Sequence, residues 1–367
     1  MLELAGLTED LVDEILLRLP PRDPASLVRA ALVRKRWRHH ISAADFRGRF
    51  RQFHRLSPHM IGFLRNQTNQ GASAVDEAEN RFVSCFVPTP SFASSCPYIT
   101  TRRFVPRSSG SWRRLVGWRT IDARHGRVLL HTYPWGLIQG MIVWNPITDV
   151  QEELPMLPQD PDPYHWGWNA AVICAISDED CDHLECHQGP FHVVFVGCSP
   201  GIGIFTRVYS SESGAWSELA SSERYIYRCL SLEPCVLVRN TLYFKFLISR
   251  HQILTRPEEI CAHPSEGFGL GLARVEHSKL HLWSKEAGQD GRWARSRVIE
   301  LETLLPVDAL STKPRVLGFA EVIGDIILRA GNGIFSINPE SGQVMKIEDG
   351  HEEGGTIHNV VPYEQNT

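Results

Sequence analysis

Long apolar segments are missing from this 367-residue chain. No run approaches the ~20 consecutive apolar residues that a membrane-spanning helix needs, so we expect no membrane partner. The first residues lack both a basic segment and a continuous apolar run, which predicts no secretory signal. The nine cysteines are odd in number and irregularly spaced, so a disulfide framework is not indicated. Reduced thiols are typical of the cytoplasm and the nucleus, where we expect the protein to function.

The chain also lacks a large excess of positive or negative charge, since its formal net charge is −4. This balance predicts no nucleic-acid partner. The charges are unevenly distributed along the chain, however. Residues 1–117 contain 18 Lys and Arg against 10 Asp and Glu, whereas residues 118–367 contain 20 against 32. A basic first part and an acidic second part predict two modules with different partners.

Catalytic and cofactor motifs are scarce in the sequence. No phosphate-binding G-x-x-x-x-G-K-[ST] loop occurs, and Gly267-Phe-Gly-Leu-Gly271 lacks the spacing of a dinucleotide-binding turn. Gly197-Cys-Ser-Pro-Gly201 fits the G-x-S-x-G pattern, but a helix must follow the serine of a nucleophile elbow. Here Pro200 and an extended apolar run follow Ser199 instead. We therefore predict that the chain is not an enzyme and binds no cofactor.

One cluster has the residue types of a zinc site, namely Cys181, His183, Cys186 and His187. Zinc is usually held by four thiolate or imidazole ligands that come as two separated chelating pairs. These four residues form one cluster without a second pair at a distance, and polar segments flank it on both sides. A solvated loop between strands explains this composition, so we predict no metal.

The amino-terminal segment has the clearest pattern in the chain. Large aliphatic residues recur at helical spacing from Leu11 to Leu19, and Pro20 ends the helix because proline cannot donate the next hydrogen bond. Two further short helices are indicated before residue 43. Three short helices over ~40 residues cannot bury this much apolar surface by themselves. The excess either packs on the downstream domain or forms a docking surface for another protein.

This segment resembles an F-box. The resemblance is carried by Leu7-Thr8-Glu9-Asp10-Leu11-Val12-Asp13-Glu14-Ile15-Leu16-Leu17-Arg18-Leu19-Pro20, by Asp23-Pro-Ala-Ser-Leu27 and by Val33-Arg34-Lys35-Arg36-Trp37-Arg38. Two positions depart from the usual pattern, since Thr8 replaces a proline and Arg34 replaces a cysteine or serine. Neither change removes a large apolar residue, and the order and spacing of the other residues agree.

The resemblance implies a function for the segment. F-box helices dock on the Skp-type adaptor of a cullin–RING ubiquitin ligase, and the rest of the chain binds the protein substrate. By matched position, the adaptor contacts are expected to be Leu7, Leu11, Ile15, Leu16, Leu19, Pro20, Leu27, Leu32, Val33 and Trp37. Because a few residues carry most of the energy of an interface, we expect the central leucines and Trp37 to contribute most.

Residues 46–80 are expected to connect two domains. Phe46, Phe50 and Phe53 are spaced for one face of a connecting helix that packs on the next domain, and the polar residues 66–80 indicate a flexible linker. We therefore place an F-box at residues 1–45, the connecting helix and linker at 46–80, and a second domain at 81–367.

Short β-rich runs alternate with turns from about residue 81, and a weak repeat runs through them. Units that begin at Ile142, Arg207, Lys279 and Gly333 each contain an extended run, a polar turn and a second extended run, which predicts hairpins. Hairpins repeated in this way bury their faces against one another, as in a β-propeller. At ~40–50 residues per blade, the domain is expected to be kelch-like with about six blades.

The second domain also resembles the associated domain of plant F-box proteins, particularly the grass group. The phrases that carry this resemblance are Ile121-Asp-Ala-Arg-His-Gly-Arg-Val-Leu-Leu130 and Val143-Trp-Asn-Pro-Ile-Thr-Asp149. We interpret Asp122, Arg124 and His125 as part of a turn between blades and not as a site.

The sequence thus predicts a multidomain protein with a small all-α three-helix F-box and an all-β, propeller-like domain. The expected function is that of a substrate receptor in an SCF-type ubiquitin ligase, with an unknown protein as substrate. Two alternatives stay open. In the first, the chain is an adaptor-bound scaffold or ligand sensor without ubiquitination activity. In the second, it is an enzyme built on the propeller.

Overall fold

The structure is a computed structural model, and the statements below refer to the residues that it describes. These are 9–19, 24–54, 59–69, 82–107, 117–133, 140–158, 167–176, 186–199, 202–222, 229–231, 233–238, 241–247, 260–265, 269–285, 293–321, 323–349 and 355–365.

Within these ranges, four helices precede the first strand and a fifth lies between strands. They are α1 (Glu9–Leu17), α2 (Pro24–Val33), α3 (Lys35–Ser42), α4 (Ala44–His54) and α5 (Pro90–Ser95). Thr89 caps α5 by accepting a hydrogen bond from the Phe92 amide at 3.4 Å. None of the described helices has the length and apolar character needed to cross a lipid bilayer.

Most of the remaining regular structure in the described chain is β-strand. The strands of the first half are β1 (His59–Asn69), β2 (Phe82–Pro88), β3 (Arg102–Arg103), β4 (Gly117–Arg124), β5 (Arg127–Tyr133), β6 (Met141–Trp144), β7 (Gln151–Glu153), β8 (Trp168–Cys174), β9 (Phe191–Ser199), β10 (Gly203–Ser210), β11 (Ala215–Trp216) and β12 (Ala220–Ser222). The strands of the second half are β13 (Cys229–Leu230), β14 (Val236–Val238), β15 (Thr241–Tyr243), β16 (Phe246–Leu247), β17 (Ile260–Ser265), β18 (Gly269–Glu276), β19 (Lys279–Lys285), β20 (Trp293–Glu300), β21 (Arg315–Ala320), β22 (Asp325–Ala330), β23 (Gly333–Ile337), β24 (Val344–Asp349) and β25 (Gly355–Gln365).

Most strands pair antiparallel with their neighbours in sequence. Four-stranded sheets form in the orders β4-β5-β6-β7, β17-β18-β19-β20 and β21-β22-β23-β24. A five-stranded sheet has the order β8-β9-β10-β11, with β12 also paired to β10. Two short pairs, β13 with β16 and β14 with β15, lie between the second and third of these sheets in sequence. One further sheet joins the two ends of the domain, since its order is β25-β1-β2-β3.

The sheets are arranged in a ring. Strand β25 contacts β4, β4 contacts β8, β8 contacts β13, β14 contacts β17, β17 contacts β21, and β21 contacts β25 again. The first strand of each four-stranded sheet therefore lies on the inside, beside the first strand of the next sheet. This order, closed by the pairing of the last strand with the first, is that of a β-propeller.

Apolar cores lie between neighbouring sheets and explain why the hairpins need one another. Ile121 and Leu129 from the β4–β7 sheet pack with Trp168 and Phe195 from the next sheet. Leu64 and Tyr363 of the closing sheet pack with residues of the β4–β7 sheet in the same way. The β4–β7 sheet thus buries its faces against two neighbours.

The predicted hairpin repeat is confirmed and has a structural meaning. Its units correspond to β6–β7, β10–β11, β19–β20 and β23–β24, which are the third and fourth strands of four sheets. Equivalent asparagines shape two of the turns. The Asn145 side-chain oxygen accepts from the amides of Ile147 and Thr148, at 2.9 and 3.1 Å. The Asn338 oxygen accepts from the second and third amides after it in the same manner.

The β-domain begins earlier than its predicted start near residue 81. Strand β1 lies within the segment assigned to the linker, where it pairs with β2 on one side and with the distant β25 on the other. Its polar residues suggested a loop, but Asn66 is fully buried. The Asn66 side-chain amide donates to the Thr120 carbonyl at 2.7 Å and to the Asn359 side-chain oxygen at 2.8 Å.

Candidate protein-docking surface

Helices α1 to α4 share one small apolar core. Leu16 of α1 is 1% exposed and packs with Phe46 and Phe50 of α4, which are also buried. Phe46 and Phe50 follow each other by one helical turn, and their rings lie 5.9 Å apart. The helical module therefore extends to His54 and not to residue 45, because α4 supplies its largest core side chains.

Four large aliphatic side chains of this module are about half exposed or more. Leu11 and Ile15, one turn apart on α1, are each 49% exposed. Leu32 and Val33, at the end of α2, are 78% and 59% exposed. We call these four residues the aliphatic surface. Exposure of this much aliphatic surface to water is unfavourable for so small a module. Full burial of one large aliphatic side chain is worth ~1.5–3 kcal/mol. A partner that covers these residues gains the share that is still exposed, before the cost of association is subtracted.

The structure sorts the residues predicted to contact an adaptor into separate groups. Leu11, Ile15, Leu32 and Val33 are accessible, whereas Leu16 lies in the core. The side chains that are partly buried against the core are Leu19, Leu27 and Trp37. Two predicted contacts, Leu7 and Pro20, lie outside the described residues. A substitution of Leu16 therefore perturbs the module itself, and only the accessible residues test docking cleanly.

An ion-pair cluster fastens α1 to the neighbouring helices. The Asp13 carboxylate lies 2.5 Å from Arg49 Nη1 of α4 and 2.5 Å from His40 Nε2 of α3. Burial acts to raise the pKa of Asp13, but the hydrogen bonds from Arg49 and His40 outweigh it and lower this pKa below its usual value. This cluster links α1, the helix that carries Leu11 and Ile15, to α3 and α4.

The β-domain contains a buried charged cluster at the centre of the ring. The Arg124 guanidinium, on β4, pairs with Asp122 of the same strand and with Glu321 Oε1, which lies 2.7 Å from Nη2. Arg124 Nη2 also donates to the Cys235 carbonyl at 2.7 Å. Since Glu321 follows β21 and Cys235 precedes β14, one side chain connects sheets that lie on opposite sides of β4. We call these four residues the hub cluster.

This cluster corrects the interpretation of Asp122, Arg124 and His125 as a simple turn. His125 does lie in the turn between β4 and β5, but Asp122 and Arg124 are buried on one face of β4. Asp122 also accepts from the Val172 amide of β8 at 2.9 Å. One feature of the sequence did indicate this arrangement. Asp122 and Arg124 are two residues apart, and residues with this spacing lie on the same face of a strand. Nothing local in the sequence indicated Glu321 or Cys235.

The electrostatics of the hub cluster favour a permanently charged arginine. Burial lowers the pKa of Arg124, but Asp122 and Glu321 raise it well above its ordinary value. Burial raises the pKa of Asp122, against the opposing effects of Arg124 and the Val172 amide. Burial also raises the pKa of the Cys235 thiol to about 12, so this thiol is not nucleophilic at neutral pH. Through these contacts the cluster connects β4 with β8 and with the segments beside β14 and β21.

The four residues that have the composition of a zinc site are only partly within the described chain. Cys181 and His183 lie outside it, whereas Cys186 and His187 begin a short 3-10 turn, with Cys186 buried. Arg127 of β5 donates to the Cys186 carbonyl and, at 2.5 Å, to the Gly189 carbonyl. In the described ranges, no group of three or more His, Cys, Asp and Glu residues is placed to hold a metal ion.

Comparisons with known proteins give weak structural similarity. The sequence matches no protein-family model and no curated protein. The chain is similar to a chain of the mitotic checkpoint complex, at 10% identity and a TM-score of 0.32, over 67% of this chain and 88% of that one. It is also similar to the Aleuria aurantia lectin bound to α-methyl-L-fucoside (9% identity, TM-score 0.27, 83% and 84% covered). A third similar structure is the WD40 domain of SCAP from fission yeast (12% identity, TM-score 0.22, 84% and 55% covered). The propeller fold itself follows from the strand order and ring contacts of this chain.

Proposed function

We propose that this chain is the substrate receptor of an SCF-type ubiquitin ligase. The helical module docks on a Skp-type adaptor, and the β-propeller binds the protein to be modified. The observation that carries the proposal is the aliphatic surface, because Leu11, Ile15, Leu32 and Val33 coincide with positions that the F-box resemblance assigns to the adaptor. The kelch-like and grass-type assignments, and function in the cytoplasm or nucleus, are part of the same proposal.

The mechanism is positional and requires no catalytic residue in this chain. Binding the adaptor through one module and the client through the other keeps the client close to the ubiquitin-charged enzyme. Such tethering raises the effective concentration of the reacting groups without a new chemical step. The ion pairs of Asp13 contribute by holding α1 in a fixed orientation before the adaptor binds.

The proposal is tested by capture of a purified Skp-type adaptor on the full-length chain. Leu11→Asp with Ile15→Asp places two charges on the aliphatic surface without touching the core, and we expect capture to fall more than about tenfold. Val298→Asp is a matched control, since Val298 lies on β20 and is 40% exposed. Unchanged capture by the double variant, with the helical circular dichroism signal intact, contradicts the proposal.

The receptor and scaffold functions differ in the fate of the client. A receptor lowers the abundance of the proteins it binds, so these proteins accumulate when the chain carries Leu11→Asp and Ile15→Asp. Proximity labelling during proteasome inhibition, with the native chain and the double variant compared, identifies such proteins. Labelled proteins whose abundance is the same with both chains favour a scaffold.

A further inference from the structure

Helices α2 and α3 contain positive charge and no carboxylate. From Pro24 to Ala44 the sequence has five Lys and Arg residues and no Asp or Glu. Three of these cations, Arg34, Lys35 and Arg38, are exposed. Arg38 lies one helical turn after Arg34, since the Arg38 amide donates to the Arg34 carbonyl at 3.1 Å. We call these three residues the cationic surface.

The carboxylates of the helical module have other partners. Among the module side chains that the structure describes, Glu14 pairs with Arg18 at 2.6 Å. Asp13 and Asp45 both pair with Arg49, at 2.5 and 3.2 Å. The side chains of the cationic surface take part in no ion pair or hydrogen bond within the described chain. Their charges are therefore available to a partner.

The cationic surface is unfavourable for α3 itself. Cations destabilise the start of a helix, where the helix dipole is positive, yet Lys35 is the first residue of α3 and no carboxylate lies in its first turn. Arg34 occupies the N-cap position without a capping hydrogen bond from its side chain. Arg34 and Arg38, four residues apart, also repel each other. Because real sequences break such local rules at functional sites, these charges indicate a binding role.

The cationic surface directly continues the aliphatic surface. Leu32 and Val33, at the end of α2, are followed in the chain by Arg34 and Lys35, and all four side chains are exposed. A protein that covers the two aliphatic residues therefore also approaches the cations. An apolar centre with a polar rim is the usual organisation of a protein–protein interface.

Other anionic partners fit α3 less well than a protein does. Proteins that bind single-stranded nucleic acid stack its bases on exposed aromatic rings, but Trp37 packs on the core of the module. A helix that lies on a lipid surface inserts its apolar face, but Ile41 packs on the same core. Helix α3 thus presents charge to a partner and turns its large apolar side chains to the core.

We propose that the protein which covers the aliphatic surface carries carboxylates that pair with Arg34, Lys35 and Arg38. These pairs lie at the rim of the interface, where charges act chiefly by attracting the partner and raising the rate of association. The inference rests on the proposed function and deepens it, since it names the chemistry of the adaptor face that meets α3, namely Asp and Glu side chains beside an apolar contact.

The test measures association of a purified Skp-type adaptor with the full-length chain by stopped-flow fluorescence. The rate constant of the native chain should fall about tenfold between about 0.02 and about 0.5 M NaCl, because salt screens exposed charges. Arg34→Glu with Arg38→Glu should associate about tenfold more slowly at low salt and at the native rate at high salt. Arg103→Glu with Arg295→Glu makes the same change of charge at exposed positions of the ring. This matched control should stay within about twofold of the native rate.

Carbodiimide crosslinking tests the contact itself. The reagent joins a carboxylate to a lysine amine without a spacer, so mass spectrometry of the complex should find Lys35 joined to an Asp or Glu of the adaptor. Lys279, an exposed lysine of the ring, is the internal control and should not be joined to the adaptor. Lys35→Arg should abolish the crosslink and keep the dependence of the association rate on salt.

Several results would overturn the inference. They are a native rate that does not depend on salt, equal rates for the native chain and the Arg34→Glu, Arg38→Glu variant, or a complex without the Lys35 crosslink. Displacement of the adaptor by a single-stranded oligonucleotide, or by vesicles of anionic lipid, would also overturn it. Arg34→Gln with Arg38→Gln replaces the Glu variant if that variant loses its helical circular dichroism signal, and it should slow association by a smaller factor.

Failure of this inference differs from failure of the proposed function. If the cationic surface has no part in docking, the native chain still captures the adaptor and only the salt dependence and the crosslink are missing. If the proposed function is wrong, the Leu11→Asp, Ile15→Asp chain captures the adaptor as well as the native chain does, or neither captures it.

Discussion

The helical module and the ring of sheets differ in how they use their apolar residues. The module buries Leu16, Phe46 and Phe50 and leaves the aliphatic surface in water. The ring distributes its apolar residues among cores between neighbouring sheets, and β25 closes it on β1. The ring thus buries most of its large apolar side chains between sheets, whereas a small module leaves four of its aliphatic side chains accessible, as expected if the proposed adaptor covers them.

The two regions also differ in their polar contacts. In the ring, buried charges and amides connect different sheets, since Arg124 pairs with Glu321 after β21 and the Asn66 amide of β1 donates to the Thr120 carbonyl of β4. In the module, the ion pairs of Asp13 lie close to solvent, where salt bridges contribute little. Breaking a polar contact should therefore cost far more in the ring than in the module.

The largest effect is expected from Arg124→Leu. This change leaves Asp122 and Glu321 buried without their guanidinium partner and should lower the free energy of unfolding by about 3–5 kcal/mol. Urea unfolding followed by tryptophan fluorescence measures it, with Arg103→Leu at the exposed edge as the control. A loss below about 1 kcal/mol would show that the hub cluster does not hold the ring together.

Leu16→Ala should come next and should act on the module alone. It removes a buried side chain and should cost about 3 kcal/mol of local stability. The matched change Leu11→Ala should cost less than about 0.5 kcal/mol, since Leu11 is half exposed. Hydrogen exchange of the α1 amides separates the two variants. Equal protection losses would mean that Leu11 and Leu16 do not have the different roles assigned here.

A smaller, pH-dependent effect is expected at His131 in the ring. Burial against Trp168, whose ring centre lies 4.4 Å away, lowers the His131 pKa from 6.5 to about 3. The folded state therefore stays neutral between these values, whereas the unfolded state takes up a proton below pH 6.5. Stability should fall as the pH drops, by roughly 2 kcal/mol from pH 6.5 to 5.

The pH effect is measured as the difference between the native chain and His131→Phe, which has no ionisable group. Denaturant unfolding at a series of pH values gives the two curves. Between pH 6.5 and 5, the difference in free energy of unfolding between the two chains should change with pH as expected when unfolding takes up one proton. Parallel curves would show that His131 is protonated in the folded state.

The smallest effect is expected from Asp13→Asn in the module. The folded-state pKa of Asp13 lies below its ordinary value, so its stabilising contribution is present above the unfolded pKa of about 4 and is lost as the pH falls through the lower folded value. At neutral pH the variant should lose about 1 kcal/mol or less. Thermal melting of the helical signal at neutral and strongly acidic pH checks this, because the two chains should differ only at neutral pH.

Local patterns in the sequence predicted much of this architecture. The hairpin repeat was found because turn residues such as Asn145 and Asn338 act through hydrogen bonds within their own turn. The helices were found from their apolar spacing. Strand β1 was missed because one of its partners, β25, is remote in the sequence. The hydrogen bond between Asn66 and Asn359, for example, joins residues that are 293 positions apart.

The same limit explains what was missed at the candidate sites. Leu11 and Leu16 have the same chemistry and follow the same helical pattern, and only the position of α4 makes one accessible and the other buried. Glu321 reaches Arg124 across 197 residues of sequence, so no local pattern relates them.

The central claim is that the helical module binds a foreign subunit through its exposed aliphatic side chains while the ring is complete by itself. Hydrogen exchange of the full-length chain, with and without a purified Skp-type adaptor, tests it most directly. We predict new protection in α1 and at the end of α2, with exchange in the sheets unchanged. Protection confined to the sheets, or none in α1 at saturating adaptor, would contradict the claim.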